Sequence, residues 1–297
     1  MRKDFSKLKE IKKVYEQGKN IIDFLKKGNN NTTDDILISY DFQSGTYIKN
    51  YYENIEFFDK YGAEIAKEID NLGSFDSIME VGIGEATTFF SIQKFLNKPI
   101  KNKFGFDVSL SRILYAQDFL KHQGITDVSL FVSDLFNIPL PDDSVDIVYT
   151  SHSIEPNGGK EADALNELLR ITKKYLILLE PSYELASKEA KNRMEKLGYV
   201  KNLYNYALET GHKIIKYQLF KYFINELNPT GILIIEKNNL KINMPELSCP
   251  ITHSKLMNYE NEVLFSKEGL LAYPIIKNIP ILLKDNAILA THLDKFY

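Results

Sequence analysis

Residues 78–90 constrain this chain more than any other stretch: Ile78-Met79-Glu80-Val81-Gly82-Ile83-Gly84-Glu85-Ala86-Thr87-Thr88-Phe89-Phe90. An apolar run, Ser77-Ile78-Met79, meets an acid. Two glycines follow with one residue between them, and a helix-like segment opens. The pattern reads as strand, tight glycine turn and helix. Glycine accepts positive φ and lets backbone come close to a ligand. The helix start after it aims free N–H groups at the same place.

The segments downstream repeat that alternation. Strands are expected at 77–81, 103–107, 129–132, 145–150 and 175–180, with helices at 86–96, 110–123 and 160–172 between them. Short apolar strands alternating with helices predict an α/β fold with a parallel, doubly wound sheet. Helical patterns at 186–197 and 201–210 precede two more strands at 213–220 and 231–236, with Asn228-Pro229-Thr230-Gly231 as the turn between these strands. That completes seven strands with an antiparallel edge. Ligands of such sheets sit beyond the carboxyl ends of the strands.

Ahead of the sheet, residues 4–27 carry apolar positions at helical spacing, including Phe5, Leu8, Ile11, Ile21 and Leu25, and Gly28-Asn29-Asn30-Asn31 should end that helix. Residues 36–52 are rich in tyrosine around Gln43-Ser44-Gly45, and a second helix is expected from Ile55 to Leu72, closed by Gly73. Tyr40 and Tyr47 either reach a ligand from this layer or serve as ordinary packing aromatics. The tail has prolines at 245, 250, 274 and 280 and short strand patterns with no long helix. The expected organisation is an N-terminal helical layer at 1–75, the α/β domain at 76–240, and a small β-rich domain at 245–297, with the boundary at Asn238-Asn239-Leu240-Lys241.

Composition narrows the function classes. Over 297 residues the formal charge is −3, which gives no basic excess to favour nucleic acid. No run of about 18 apolar residues is present to span a membrane. No signal peptide is visible at Met1-Arg2-Lys3-Asp4. The one cysteine, Cys249, excludes an internal disulfide and a multi-cysteine zinc site. A reducing cytoplasm is the expected location.

The candidate site residues fall at the strand ends. Glu80, Gly82, Ile83 and Gly84 follow the first strand, Asp107 and Val108 the second, Asp134 and Leu135 the third, and Ser151 and His152 the fourth. An acid at the second strand end suits a ribose diol, because one carboxylate accepts two hydroxyl hydrogen bonds. An acid beside an apolar residue after the third suits an adenine amine and its ring face. Together they specify an adenosine-type ligand. A dinucleotide is disfavoured, since Thr87 stands where that fingerprint has its third glycine or alanine.

Through EVGIGEAT, GFDVS and VSDLFNIPLPDDSVDIVYTSHSIE, the chain resembles class I S-adenosylmethionine-dependent methyltransferases, with a Rossmann-like fold, in the branch acting on small molecules. The resemblance covers about 76–182 and the two late strands. It implies that Glu80, Gly82, Ile83 and Gly84 hold the methionine part of the cofactor. Asp107 and Val108 would take the ribose, Asp134 and Leu135 the adenine, and Ser151 would lie near the sulfonium. Ala86 departs from the family's third glycine. His152 and Glu155 are the candidate catalytic residues if the acceptor needs a general base, and Glu180 or Tyr183 would shape the acceptor side. His212 and His292 have no evident partner in the pattern.

The tail, through CPIT, LAYPI and IPILL, is similar to zinc-ribbon-like activators of tRNA and protein methyltransferases. Zinc-binding members of that family carry four cysteines, and here only Cys249 is kept, so no metal is expected even with His253 nearby. The resemblance implies that such domains pair an edge strand with a methyltransferase or bind a partner; here the fused copy would dock on its own chain or on another protein. The expected activity is methyl transfer to the oxygen or nitrogen of a small molecule or glycan precursor. The alternatives are a non-catalytic protein acting through its tail, and a tRNA or protein methyltransferase.

Overall fold

The computed structural model describes residues 7–25, 31–223, 225–237 and 243–297. Five helices come first: α1 (Leu8–Glu16), α2 (Ile21–Leu25), α3 (Thr33–Phe42), α4 (Thr46–Glu53) and α5 (Ile55–Leu72). The single helix expected over 4–27 is two helices. Gly18, at φ 68°, takes the left-handed conformation, and the bonds Gly18 N–H to Tyr15 C=O and Lys19 N–H to Val14 C=O close α1 before the chain resumes at α2. Phe5, the Gly28-Asn29-Asn30 stop and the boundary at 238–241 lie outside the described residues. The tyrosine-rich 36–52 segment forms most of α3 and α4, bent at Gly45 (φ 93°).

The sheet then follows the expected alternation: β1 (Ser77–Val81), α6 (Thr87–Phe95), β2 (Asn102–Asp107), α7 (Leu110–His122), β3 (Val128–Val132), β4 (Val145–Ser151), α8 (Glu161–Ile171) and β5 (Thr172–Pro181). After these come α9 (Lys188–Leu197), α10 (Leu203–Glu209), β6 (Lys213–Leu219) and β7 (Thr230–Glu236). The strand order is β3-β2-β1-β4-β5-β7-β6. The first five strands are parallel, β7 runs antiparallel to β5, and β6 antiparallel to β7. β1 and β4 occupy the centre, which is why β1 is buried along its whole length. Alternate residues feed two cores. Ile78, Ile147 and Ile177 pack under α5, α6 and α7, whereas Met79, Val148 and Leu178 pack under α8 and α10.

A second sheet completes the chain: β8 (Leu256–Tyr259), β9 (Val263–Ser266), β10 (Leu271–Ile276), β11 (Ile279–Pro280) and β12 (Ile288–Leu289). It docks on edge strand β3. Ile281 forms a parallel bridge with Val132, Leu282 N–H donates to Val132 C=O at 2.8 Å, and Ser248 N–H donates to Pro139 C=O at 2.9 Å. Cys249 is buried, with its sulfur 3.2 Å from the Tyr273 hydroxyl. His253 is exposed and supplies only a backbone N–H to Cys249 C=O. Among the described residues no group of three or more His, Cys, Asp or Glu side chains is placed to hold a metal, and no helix is long and apolar enough to cross a membrane.

Candidate active site

The glycine turn folds as its composition dictates. Gly82 and Gly84 have φ of 68° and 56°, and Ala86 follows at 62°. A methyl on Gly82 would collide with the Ser153 side chain. Ile83 N–H is tied to Phe106 C=O at 2.9 Å, and the absence of a side chain on Gly105 leaves room for Ile83 to lie on β2. The turn thus stands against the carboxyl ends of β1 and β2, and a cavity opens over it.

That cavity gathers Glu80, Gly82, Ile83, Gly84, Asp107, Val108, Asp134, Leu135, Ser151 and His152. Of the expected site residues, Glu155 lies outside its lining and lines the adjoining cavity instead, and Glu180 and Tyr183 line neither. Asp107 accepts Gly84 N–H at 3.1 Å and Ser109 N–H at 2.9 Å, so the ribose-side acid also shapes the glycine turn. Asp134 accepts Phe136 N–H at 2.8 Å, which fixes the loop that presents Leu135. Glu80 accepts the Tyr149 hydroxyl at 3.0 Å. Burial pushes the Glu80 carboxyl up to about 8, against the Tyr149 hydrogen bond and with help from Asp107. Burial likewise raises Asp107, opposed by Arg112 and by backbone N–H groups. Two buried acids that share a cavity in this way favour a cationic ligand.

Sequence reasoning missed Arg112 and Glu85. Arg112 is 6% exposed, lies 4.1 Å from the Tyr47 ring centre and 5.0 Å from that of Tyr40, and leaves Nε and Nη2 without a hydrogen-bond partner at the cavity wall. Ser153 Oγ is a further buried cavity atom without a hydrogen-bond partner. Glu85 is buried and accepts Gly45 N–H and Ile48 N–H, both at 2.8 Å, tying the start of α4 to the glycine turn. An arginine one turn into a helix and a glutamate inside the glycine motif carry no signal at sequence level, because their partners are about 40 or more residues away in an irregular layer.

A second cavity adjoins the first. It shares Tyr40, Tyr47, Thr87, Thr88, Ser151 and His152 with it. Ser151 Oγ is 3.1 Å from the Tyr61 hydroxyl. His152 Nδ1 is 2.6 Å from Glu155 Oε2, and Nε2 is 2.8 Å from Thr230 Oγ1. Burial works against both charges, but their contact outweighs it: His152 is raised above the usual imidazole range and Glu155 is held below the usual carboxylate range. Glu180 plays a different part from the one expected. Its carboxylate accepts the backbone N–H groups of Ser153, Ile154 and Glu155, and so fixes the loop that carries the pair. Tyr183 donates to Glu195 at 2.6 Å and lines neither cavity.

The architecture and this pair of cavities define an α/β domain with a candidate site at the strand ends. Residues 78–175, about a third of the chain, match the profile of a methyltransferase domain family. That match agrees with the methyltransferase part of the sequence expectation. The chain is similar to solved structures of a methyltransferase of that class from Aquifex aeolicus (18% identity, 57% of this chain and 87% of that one, TM-score 0.41). It is also similar to magnesium protoporphyrin IX methyltransferase from Synechocystis with bound S-adenosylhomocysteine (12% identity, 68% and 99%, TM-score 0.49). A third likeness is to a chain of the complex between a Haloferax volcanii methyltransferase activator and a methyltransferase (15% identity, 61% and 96%, TM-score 0.44). A comparison with curated proteins found no match.

Proposed function

We propose that this chain binds S-adenosylmethionine in the first cavity and transfers its methyl group to a small molecule held in the second. The observation that carries the reading is the continuity of the two cavities through Ser151 and His152, with Glu80 and Asp107 at the closed end of the first. The buried Glu80 fits the cofactor's positive groups, and the Arg112 nitrogens that lack a hydrogen-bond partner fit its carboxylate. Asp107 would hold the ribose, and Asp134 with Leu135 the adenine. When bound, the cofactor supplies a methyl group on a sulfonium. Such a displacement needs alignment more than help for the leaving group. Tyr61 and Ser151 orient the junction. For a hydroxyl acceptor, the neutral His152 imidazole takes the proton at Nε2 through the Thr230 hydroxyl, and Glu155 stabilises the imidazolium that results.

The acceptor is a small molecule or glycan precursor. The tail resembles an activator, but in this chain its Ile281–Leu282 segment lies on β3, which supports self-docking over capture of another methyltransferase. A cytoplasmic location suits Cys249, a free buried thiol. Calorimetry tests the reading: S-adenosylmethionine or S-adenosylhomocysteine should bind the wild type, and Asp107→Ala should weaken binding at least about tenfold. No binding of either compound, or unchanged affinity in Asp107→Ala, overturns it.

A further inference from the structure

The acceptor cavity has a chemistry of its own. Its walls carry the rings of Tyr40 and Tyr47 from the α3–α4 layer and of Phe57, Phe58 and Tyr61 from α5. The rings come from three helices and line the cavity together. Tyr61 meets Phe57 stacked at 6.0 Å, and Phe58 meets Phe57 edge-on at 5.8 Å. Among the described residues, none lining this cavity is Lys or Arg. The one acid there, Glu155, is engaged by His152 at 2.6 Å, so its carboxylate is already partnered within the wall. The other polar side chains are neutral: the amides of Asn50, Asn225 and Asn228 and the hydroxyls of Thr87, Thr88, Ser151 and Thr230, besides those of the tyrosines.

We propose that this cavity seats a neutral, flat, hydroxyl-bearing aromatic ring as the methyl acceptor. Aromatic walls reward a planar apolar body through stacked and edge-on contacts. A phosphate or carboxylate finds no cation there, and burying it unpaired is costly. A sugar also meets amides and hydroxyls here, but it presents less flat apolar surface to the rings than an aromatic body does. The hydroxyl is directed to the Ser151–His152 end, where the two cavities meet. There the acceptor oxygen bonds to the methyl carbon of the sulfonium donor as the carbon–sulfur bond breaks, with the electron pair staying on sulfur. The hydroxyl proton passes to Thr230 Oγ1 as the Thr230 proton moves to His152 Nε2.

This inference rests on the methyltransferase reading, and the test separates the two. S-adenosylhomocysteine binding to the full chain is measured first; its absence overturns both. The loaded protein is then titrated with 2-naphthol, with the same ring bearing a sulfonate, with the same ring bearing a trimethylammonium group, and with methyl glucoside. The neutral naphthol should saturate, and the other three should bind at least about tenfold more weakly. Phe57→Leu should weaken naphthol several-fold while leaving S-adenosylhomocysteine affinity unchanged, which also shows that the variant is folded. Unsaturable naphthol binding to the loaded protein overturns the inference, as does tighter binding of a charged analogue or the glucoside, or naphthol affinity unmoved by Phe57→Leu.

Discussion

Glu80 is where burial and charge compete most openly. In the unfolded chain its carboxyl titrates in the ordinary range, whereas in the fold it is pushed up to about 8. Folding therefore takes up a proton between those values, and stability falls as pH rises across that window, levelling off above about 8. A cationic cofactor reverses the preference, so binding at pH 7 should release up to about one proton. Calorimetry in buffers of different ionisation enthalpy measures this release, and Glu80→Gln should abolish it. His152 carries the opposite expectation for rate. With its imidazole raised by Glu155, the neutral base forms only as pH climbs above the usual histidine range. The turnover profile should rise through that shifted value, and Glu155→Gln should move the midpoint downward. A profile indifferent to Glu155→Gln would remove His152 from proton transfer. The carboxylates were legible in the sequence because each ends a strand in an alternating pattern. Arg112 was not legible, because its significance lies in two tyrosine rings supplied by the N-terminal layer.

Among elements, the glycine turn and the α3–α4 layer act together. Glu85 gives one carboxylate oxygen to each of two backbone donors, Gly45 and Ile48, and lies 4.0 Å from Arg112. Ser109 adds a second tie by donating to Asp41 at 2.6 Å. Glu85→Ala leaves part-buried donors unmet and should cost about 2 kcal/mol in urea unfolding. Glu85→Gln, which keeps one acceptor, should lose less. Cofactor affinity should fall in both, since Tyr40 and Tyr47 of this layer line the cofactor cavity. An Ala variant as stable as wild type would show that the layer is held by packing alone. Strand and helix limits were legible to within a few residues because β1 through β5 are buried on both faces and their helices are amphipathic. The break at Gly18 was not, since apolar spacing runs on through it and only the backbone reversal marks the end of α1.

For the molecule as a whole, the tail works as part of the sheet. Ile279, Ile281 and Leu283 enter the core under α5 to α7, while Leu282, Cys249 and Tyr273 enter the core on the other side. The alternation is that of a strand laid against β3, and it covers an edge that would otherwise invite pairing with other chains. The resemblance pointed to pairing at an edge strand but not to which one; that depends on which edge the fold leaves open, a property of the assembled sheet. One cooperative unfolding transition is expected, because both cores draw on the tail. Ile281→Asp puts a charge at a 3% exposed position and should lower stability by about 3 kcal/mol or more. It should also promote aggregation through the freed β3 edge. Two separate transitions in the wild type, or an Ile281→Asp protein that melts like it, would show instead that the tail and the α/β domain fold independently and that the β3 contact adds nothing to either.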